Sequence, residues 1–247
     1  MPLDFALILL FFATVVPWLG RRRIRLLMSA PKTEKRDRLI LYASTIFFQW
    51  IAVGIIAWRT RSHHITTMQL ALKVPNVGLV AIISAILCLL VLANQLFSLR
   101  RLSTRPDEIR GTIAQLAMKI FPQDNTECAV FLLLSATVAI CEEFIYRGFV
   151  QGVLQDWSAH RILLGILCSA ALFALAHLYQ GPRGLFSTFI VGILFAGIRA
   201  WTGSLLPAIL AHFVADSSAG ILAPASIRKG LQAGAGGLNE SEEISAH

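Results

Sequence analysis

The chain has 247 residues, 56% of them hydrophobic and only 15% charged, with a formal net charge of +8. Soluble domains carry roughly a quarter of charged residues, and a mean hydropathy of +0.67 lies far outside that class. Long apolar runs alternate with short basic clusters, which excludes a single soluble core, and Lys and Arg placed between apolar runs point to membrane topology rather than nucleic-acid binding.

The first apolar run covers 3–19, with Asp4 at its start and Arg21, Arg22, Arg23 and Arg25 after it. A signal peptide has the opposite charge order, so the run is expected to be a retained span with its N-terminus outside. The basic stretch 21–38 is expected on the cytoplasmic side. A second run, 39–58, returns outward to a link, 59–76, that holds Arg59, Arg61, His63, His64 and Lys73. The third run is 77–97. After it, 109–121 reads as an amphipathic helix lying on the membrane surface and ended by Pro122.

Apolar runs at about 128–154, 161–179, 185–201 and 204–223 follow, joined by short links. Each is near the roughly 20 residues that a crossing needs. The expected fold is an all-α, polytopic transmembrane helix bundle of about seven to eight spans. Three parts are expected: N-terminal membrane helices with the interfacial helix over 1–126, a catalytic helical bundle over 127–223, and a disordered tail over 224–247. The tail is rich in Gly, Ala, Ser and Glu and lacks hydrophobic periodicity. His160, Arg183 and Arg199 read as markers of helix ends. Cys88, Cys128, Cys141 and Cys168 form no CxxC pair and read as small buried hydrophobes. Cys141 precedes two carboxylates, an environment that opposes a thiolate.

Ionisable groups inside apolar runs are costly, and so are functional candidates by default. Glu142, Glu143 and Arg147 lie in the fourth run, His177 ends the fifth, and His212 and Asp216 share the last. On a helix, Glu143 and Arg147 are i,i+4 neighbours and can pair, while Glu142 points about 100° away. One carboxylate can therefore be neutralised while the other stays free for acid–base work. Asp216, also i,i+4 from His212, can fix a tautomer of that ring. A Glu and two His can activate water directly or around a metal.

The ordered motifs EExxxR (Glu142, Glu143, Arg147), FxxxH (Phe173, His177) and HxxxD (His212, Asp216) resemble the signature of the CPBP family. These intramembrane proteases are similar to the eukaryotic CAAX-processing enzyme, and the family also holds bacterial proteins called Abi or bacteriocin-immunity proteins. The segments 177–181 (HLYQG) and 202–205 (TGSL) also look like bacterial members, and the resemblance covers about 127–222. It implies an intramembrane endopeptidase that hydrolyses a peptide bond in a membrane-associated protein or peptide.

In that reading Glu142 is the general base and His177 helps to hold the water. His212 and Asp216 sit near the scissile carbonyl, and Glu143 and Arg147 support them. Arg147 could alternatively hold a substrate carboxylate. Many eukaryotic-like members carry Asn at the last motif position. Asp216 cannot donate to an oxyanion unless protonated, so orienting His212 or ligating a metal fits it better. Metal dependence stays open: Glu142, His177 and His212 form a possible zinc set, yet there is no HExxH and the same groups work without metal. The partners implied are a protein or peptide substrate and the lipid bilayer, with no nucleic acid, and the expected location is the bacterial inner membrane, multi-pass. The alternatives are a non-proteolytic scaffold or immunity-type protein and a small proton-coupled transporter. The latter would be expected to show paired, interrupted halves, which the sequence lacks.

Overall fold

The computed structural model describes residues 1–104, 112–158 and 161–245. The described residues are helical, without strands: α1 (Leu3–Ser29), α2 (Lys35–Ser62), α3 (Val77–Thr104), α4 (Thr112–Ile120), α5 (Asn125–Glu143), a π-helical segment (Phe144–Val150), α6 (Gln151–Trp157), α7 (Ile162–Ala176), a 3₁₀ turn (Leu178–Gln180), α8 (Gly181–Thr202) and α9 (Leu206–Ser245). Six helical stretches are long and apolar enough to cross a membrane, and α7 is a shorter apolar helix. Helices satisfy every backbone group internally, which is the requirement hydrocarbon imposes. The chain is a multi-pass integral membrane protein.

The seven apolar runs of the sequence each become a helix, but the boundaries move. Helix α1 continues through the arginines to Ser29. There Arg23 turns inward and donates to Ser44 Oγ (2.7 Å), Thr45 Oγ1 (3.2 Å) and the Leu41 carbonyl (3.2 Å) of α2. Arg is itself a good helix former, and these contacts seat its guanidinium against α2. The surface helix appears as α4 over 112–120, while 109–111 lie outside the described residues. The backbone of α9 is helical from Leu206 to Ser245 and so runs into the segment expected to be a tail.

Helix α2 runs parallel to α5. Arg38 reaches Glu127 near their starts, Tyr42 meets Phe131 further along, and Gln49 reaches Glu142 deeper still. The Arg38–Glu127 contact is bidentate (3.0 and 2.8 Å) and buried. Asp124 caps α5 by accepting from the Glu127 N–H at 2.9 Å. The Lys35 ammonium beside Asp124 holds that carboxyl below the usual carboxylate range. Helices α3 and α9 are also parallel, with Leu87 packed near Ala208 and Ala211 and Leu99 near Ala223 and Ile227.

Helix–helix contact in a membrane relies on small residues that let backbones approach. At Gly192 an added Cβ would sit 3.0 Å from the Ala170 Cα, which fixes α8 against α7. At Gly220 it would sit 2.0 Å from the Phe131 ring, where α9 crosses α5. Gly220→Val is therefore expected to overpack this crossing and to lose about 1–3 kcal/mol. Thermal unfolding in detergent would measure it; an unchanged midpoint would show that the crossing can open freely.

The link between α2 and α3 folds back onto the bundle. Leu70 and Ala71 are buried, and Ala71 adopts a left-handed backbone (φ 54°). Its carbonyl accepts from the Leu205 N–H (3.0 Å), and Arg199 Nη2 donates to the Gln69 carbonyl at 2.5 Å. Arg199 also donates to Gln155 Oε1 at 2.7 Å and is buried, so it is a tie between segments as well as the marker of a helix end. His160 lies outside the described residues.

Candidate active site

The core cluster that surrounds the polar residues comprises Phe5, Phe12, Ile56, Leu70, Phe144 to Tyr146, Phe149 and Phe173 with their neighbours. Into this apolar setting α5 delivers two consecutive carboxylates at its last two positions. The helix then loosens into the π-helical segment. Such segments often accompany functional sites, because the wider turn re-aims side chains and frees carbonyls. One carbonyl here has a dedicated partner: Ser169 Oγ of α7 donates to the Tyr146 carbonyl at 2.7 Å.

Glu143 and Arg147 are fully buried, and Arg147 Nη1 donates to Glu143 Oε1 at 2.9 Å. The same oxygen lies 2.9 Å from His212 Nδ1. A carboxylate oxygen can only accept, so Nδ1 carries the proton in this contact. The Arg147 guanidinium also stands over two rings, 4.0 Å from the Phe173 centroid and 5.5 Å from that of Phe195. The charge-rich cluster is thus held by one carboxylate, one imidazole and two aromatic faces. Arg147 Nε and Nη2 and Glu143 Oε2 are buried without a hydrogen-bond partner among the described residues.

Glu142 is held differently. Its Oε1 accepts from Gln49 Nε2 of α2 at 3.0 Å, and its Oε2 is buried without a partner. The two neighbouring carboxylates thus divide: Glu143 is occupied by two cationic or N–H donors, and Glu142 by one neutral amide that leaves an oxygen over.

His177 caps the end of α7, in the sparsely used bridge region (φ −95°, ψ 15°). Its Nδ1 lies 2.9 Å from the Phe173 carbonyl, which can only accept. In the neutral ring this leaves Nε2 with the lone pair. The Phe173 ring contacts His177 (4.7 Å between centroids), His212 (6.0 Å), Tyr146 (5.3 Å) and Arg147. The phenylalanine of the FxxxH motif is therefore the apolar hub on which the ionisable groups are arranged. The Gly181 that follows has φ +78°, which lets the chain turn back from α7 into α8 without the strain a side chain would add.

The sequence suggested that Asp216 would fix the His212 tautomer. Instead Glu143 holds Nδ1, and Asp216 Oδ2 stands 3.5 Å from Nε2, within ion-pair range but beyond a hydrogen bond. The i,i+4 spacing placed Asp216 on the right face, but the shorter contact comes from a helix about seventy residues earlier in the chain. Cys141 is buried and free.

Among the described residues no group of three or more His, Cys, Asp or Glu side chains is placed to hold a metal ion. The possible zinc set Glu142, His177 and His212 is not gathered, and the His212 nitrogens face Glu143 and Asp216. As arranged, the donors do not fit a zinc centre, and no chemical step below is routed through one.

Sequence reasoning missed Gln49 and Ser169. Gln49 did carry a signal: it is the sole amide side chain in the apolar run 39–58. An amide in hydrocarbon costs several kcal/mol unless it finds a partner, so its presence in a span asks for one.

Residues 124–218 match the family described as Rce1-like, type II CAAX prenyl endopeptidase Rce1-like. The match spans less than half of the chain and takes in all six polar site residues. Neither the curated proteins nor the solved structures give a match. Residues 124–218 are thus similar to the Rce1-like, CAAX-protease-like family, within a multi-pass membrane protein.

Proposed function

We propose that the protein is an intramembrane endopeptidase that hydrolyses a peptide bond in a membrane-associated protein or peptide, with Glu142 as the general base. The observation that carries this reading is the inequality of the two carboxylates: Glu143 Oε1 takes both Arg147 and His212, while Glu142 keeps a buried oxygen without a partner. A base must have a lone pair free to receive a proton and must be within reach of the water that gives it up. Glu142 Oε2 supplies the lone pair, and its burial makes the site one that excludes bulk water.

Glu142 takes one proton from the attacking water, and His177 Nε2 accepts a hydrogen bond from the other. His212, its Nδ1–H committed to Glu143, presents Nε2 towards Asp216. A proton on Nε2, with the Asp216 carboxylate 3.5 Å away to offset its charge, is the donor available to the oxyanion of the tetrahedral intermediate, where preorganised donors act most strongly. The proton on Glu142 then passes to the departing amine, which closes the cycle with the base regenerated. Arg147, through Glu143 and Phe173, fixes the position of His212. The name of the matched family suggests a substrate whose cleaved segment lies at a lipid-anchored terminus, and the apolar surroundings of Glu142 suit a peptide delivered from the bilayer.

The reading is tested by incubating purified protein, reconstituted in liposomes, with a set of membrane-associated peptides and weighing the fragments. It predicts cleavage by the wild type, none by Glu142→Ala, and rates that do not depend on chelator. Equal cleavage by Glu142→Ala would overturn the assignment of the base. Loss of activity with chelator, restored by a metal, would overturn the metal-free mechanism.

A further inference from the structure

We infer that Gln49 is a positioning residue for the Glu142 carboxylate, so that helix α2, outside the segment that carries the family match, completes the active site. The inference rests on the reading of Glu142 as the base.

Gln49 Nε2 donates to Glu142 Oε1 at 3.0 Å, across 93 residues of sequence. It is the one hydrogen bond that the Glu142 carboxylate makes among the described residues, because Oε2 has no hydrogen-bond partner there. A carboxylate held at one oxygen by a single donor is fixed in rotation, with its second oxygen directed to one place. Without that donor, the last side-chain torsion of a glutamate is broad and nearly two-fold, and the free lone pair would sweep through several directions. A misplacement of about 1 Å in a catalytic group can cost a hundredfold in rate.

Alternative roles for Gln49 are less suited to its surroundings. As a packing residue, an apolar side chain of equal length would fit the span better, since 39–58 otherwise lacks amides and charges. As a tie between helices it is redundant: α2 is already clasped to α5 by the bidentate Arg38–Glu127 pair and the Tyr42–Phe131 contact. What remains is its effect on Glu142. An amide is also the suitable donor here, because a Lys or Arg at this place would pair with the base and occupy it, as Arg147 does with Glu143.

The test compares Gln49→Leu and Gln49→His with the wild type in liposomes. Leu removes the donor and keeps an apolar span foldable, while His restores an N–H at similar reach. Gln49→Leu is expected to lower kcat by about 10- to 100-fold, the scale of one hydrogen bond to a charged group. KM and the unfolding midpoint should stay unchanged, and Gln49→His should recover much of kcat. A wild-type kcat in Gln49→Leu, beside an inactive Glu142→Gln, would overturn the inference and leave the protease reading intact. A rise in KM alone would overturn it too, by making Gln49 a wall of the substrate site. Infrared difference spectra supply a readout that needs no turnover. Gln49→Leu should shift a carboxylate stretching band that is absent from Glu142→Gln. No shift would overturn the contact whether or not hydrolysis is found.

Discussion

Replacing Glu143 with Ala is expected to destabilise the protein by about 3–5 kcal/mol, the cost of leaving one member of a buried ion pair uncompensated. Arg147 is fully buried, and its one side-chain hydrogen bond among the described residues goes to Glu143 Oε1. His212 Nδ1 uses the same oxygen. One truncation therefore strands two donors in an apolar core, with only the Phe173 and Phe195 faces left to receive the guanidinium. Unfolding of the purified protein in detergent measures the loss. The double replacement Glu143→Leu with Arg147→Leu should recover most of the stability, because removing both partners of a pair is often close to neutral. It should not recover hydrolysis, since His212 would still lack its anchor. A Glu143→Ala protein as stable as the wild type would mean that the cluster is reached by water, contrary to its burial.

Glu142→Gln is expected to do the opposite: leave stability within about 1 kcal/mol and lower kcat by about 10²–10⁴-fold, the usual worth of a general base. The amide keeps the shape of the side chain, and its oxygen can still accept from Gln49. The atom that changes in character is the one at Oε2, which has no partner to lose. Adjacent residues of the same chemical type are thus predicted to fail in different ways, one by unfolding and one by losing chemistry. This division is hard to obtain if the six polar residues are only a structural ion-pair network. Such a network would make both glutamates matter for stability.

How far the sequence reached can be judged residue by residue. The spans were legible because hydrocarbon imposes a length and a composition, and each apolar run became a helix. The polar residues were legible for the converse reason. Glu142, Glu143, Arg147, His177, His212 and Asp216 stand out where charge is expensive, and all of them fall within the segment matched to the family. Local spacing gave the Glu143–Arg147 contact, which is an i,i+4 pair. What spacing could not give were contacts between distant segments. Gln49 to Glu142, Arg38 to Glu127 and His212 to Glu143 each join helices 69 to 93 residues apart. The anchor of His212 was of this kind: local spacing offered Asp216, and only packing of α9 against α5 brings Glu143 to Nδ1. The π-helical segment was equally hidden, and its Tyr146 carbonyl is bonded by Ser169 of another helix.

The central claim, that Glu142 activates the water, is tested most directly by single-turnover cleavage of one membrane-embedded peptide. Wild type and Glu142→Gln should be compared side by side in liposomes, after matched unfolding midpoints establish that both are folded. The account predicts cleavage at a single bond by the wild type and a rate at least about a hundredfold lower for the variant. Cleavage by folded Glu142→Gln at the wild-type rate would contradict it.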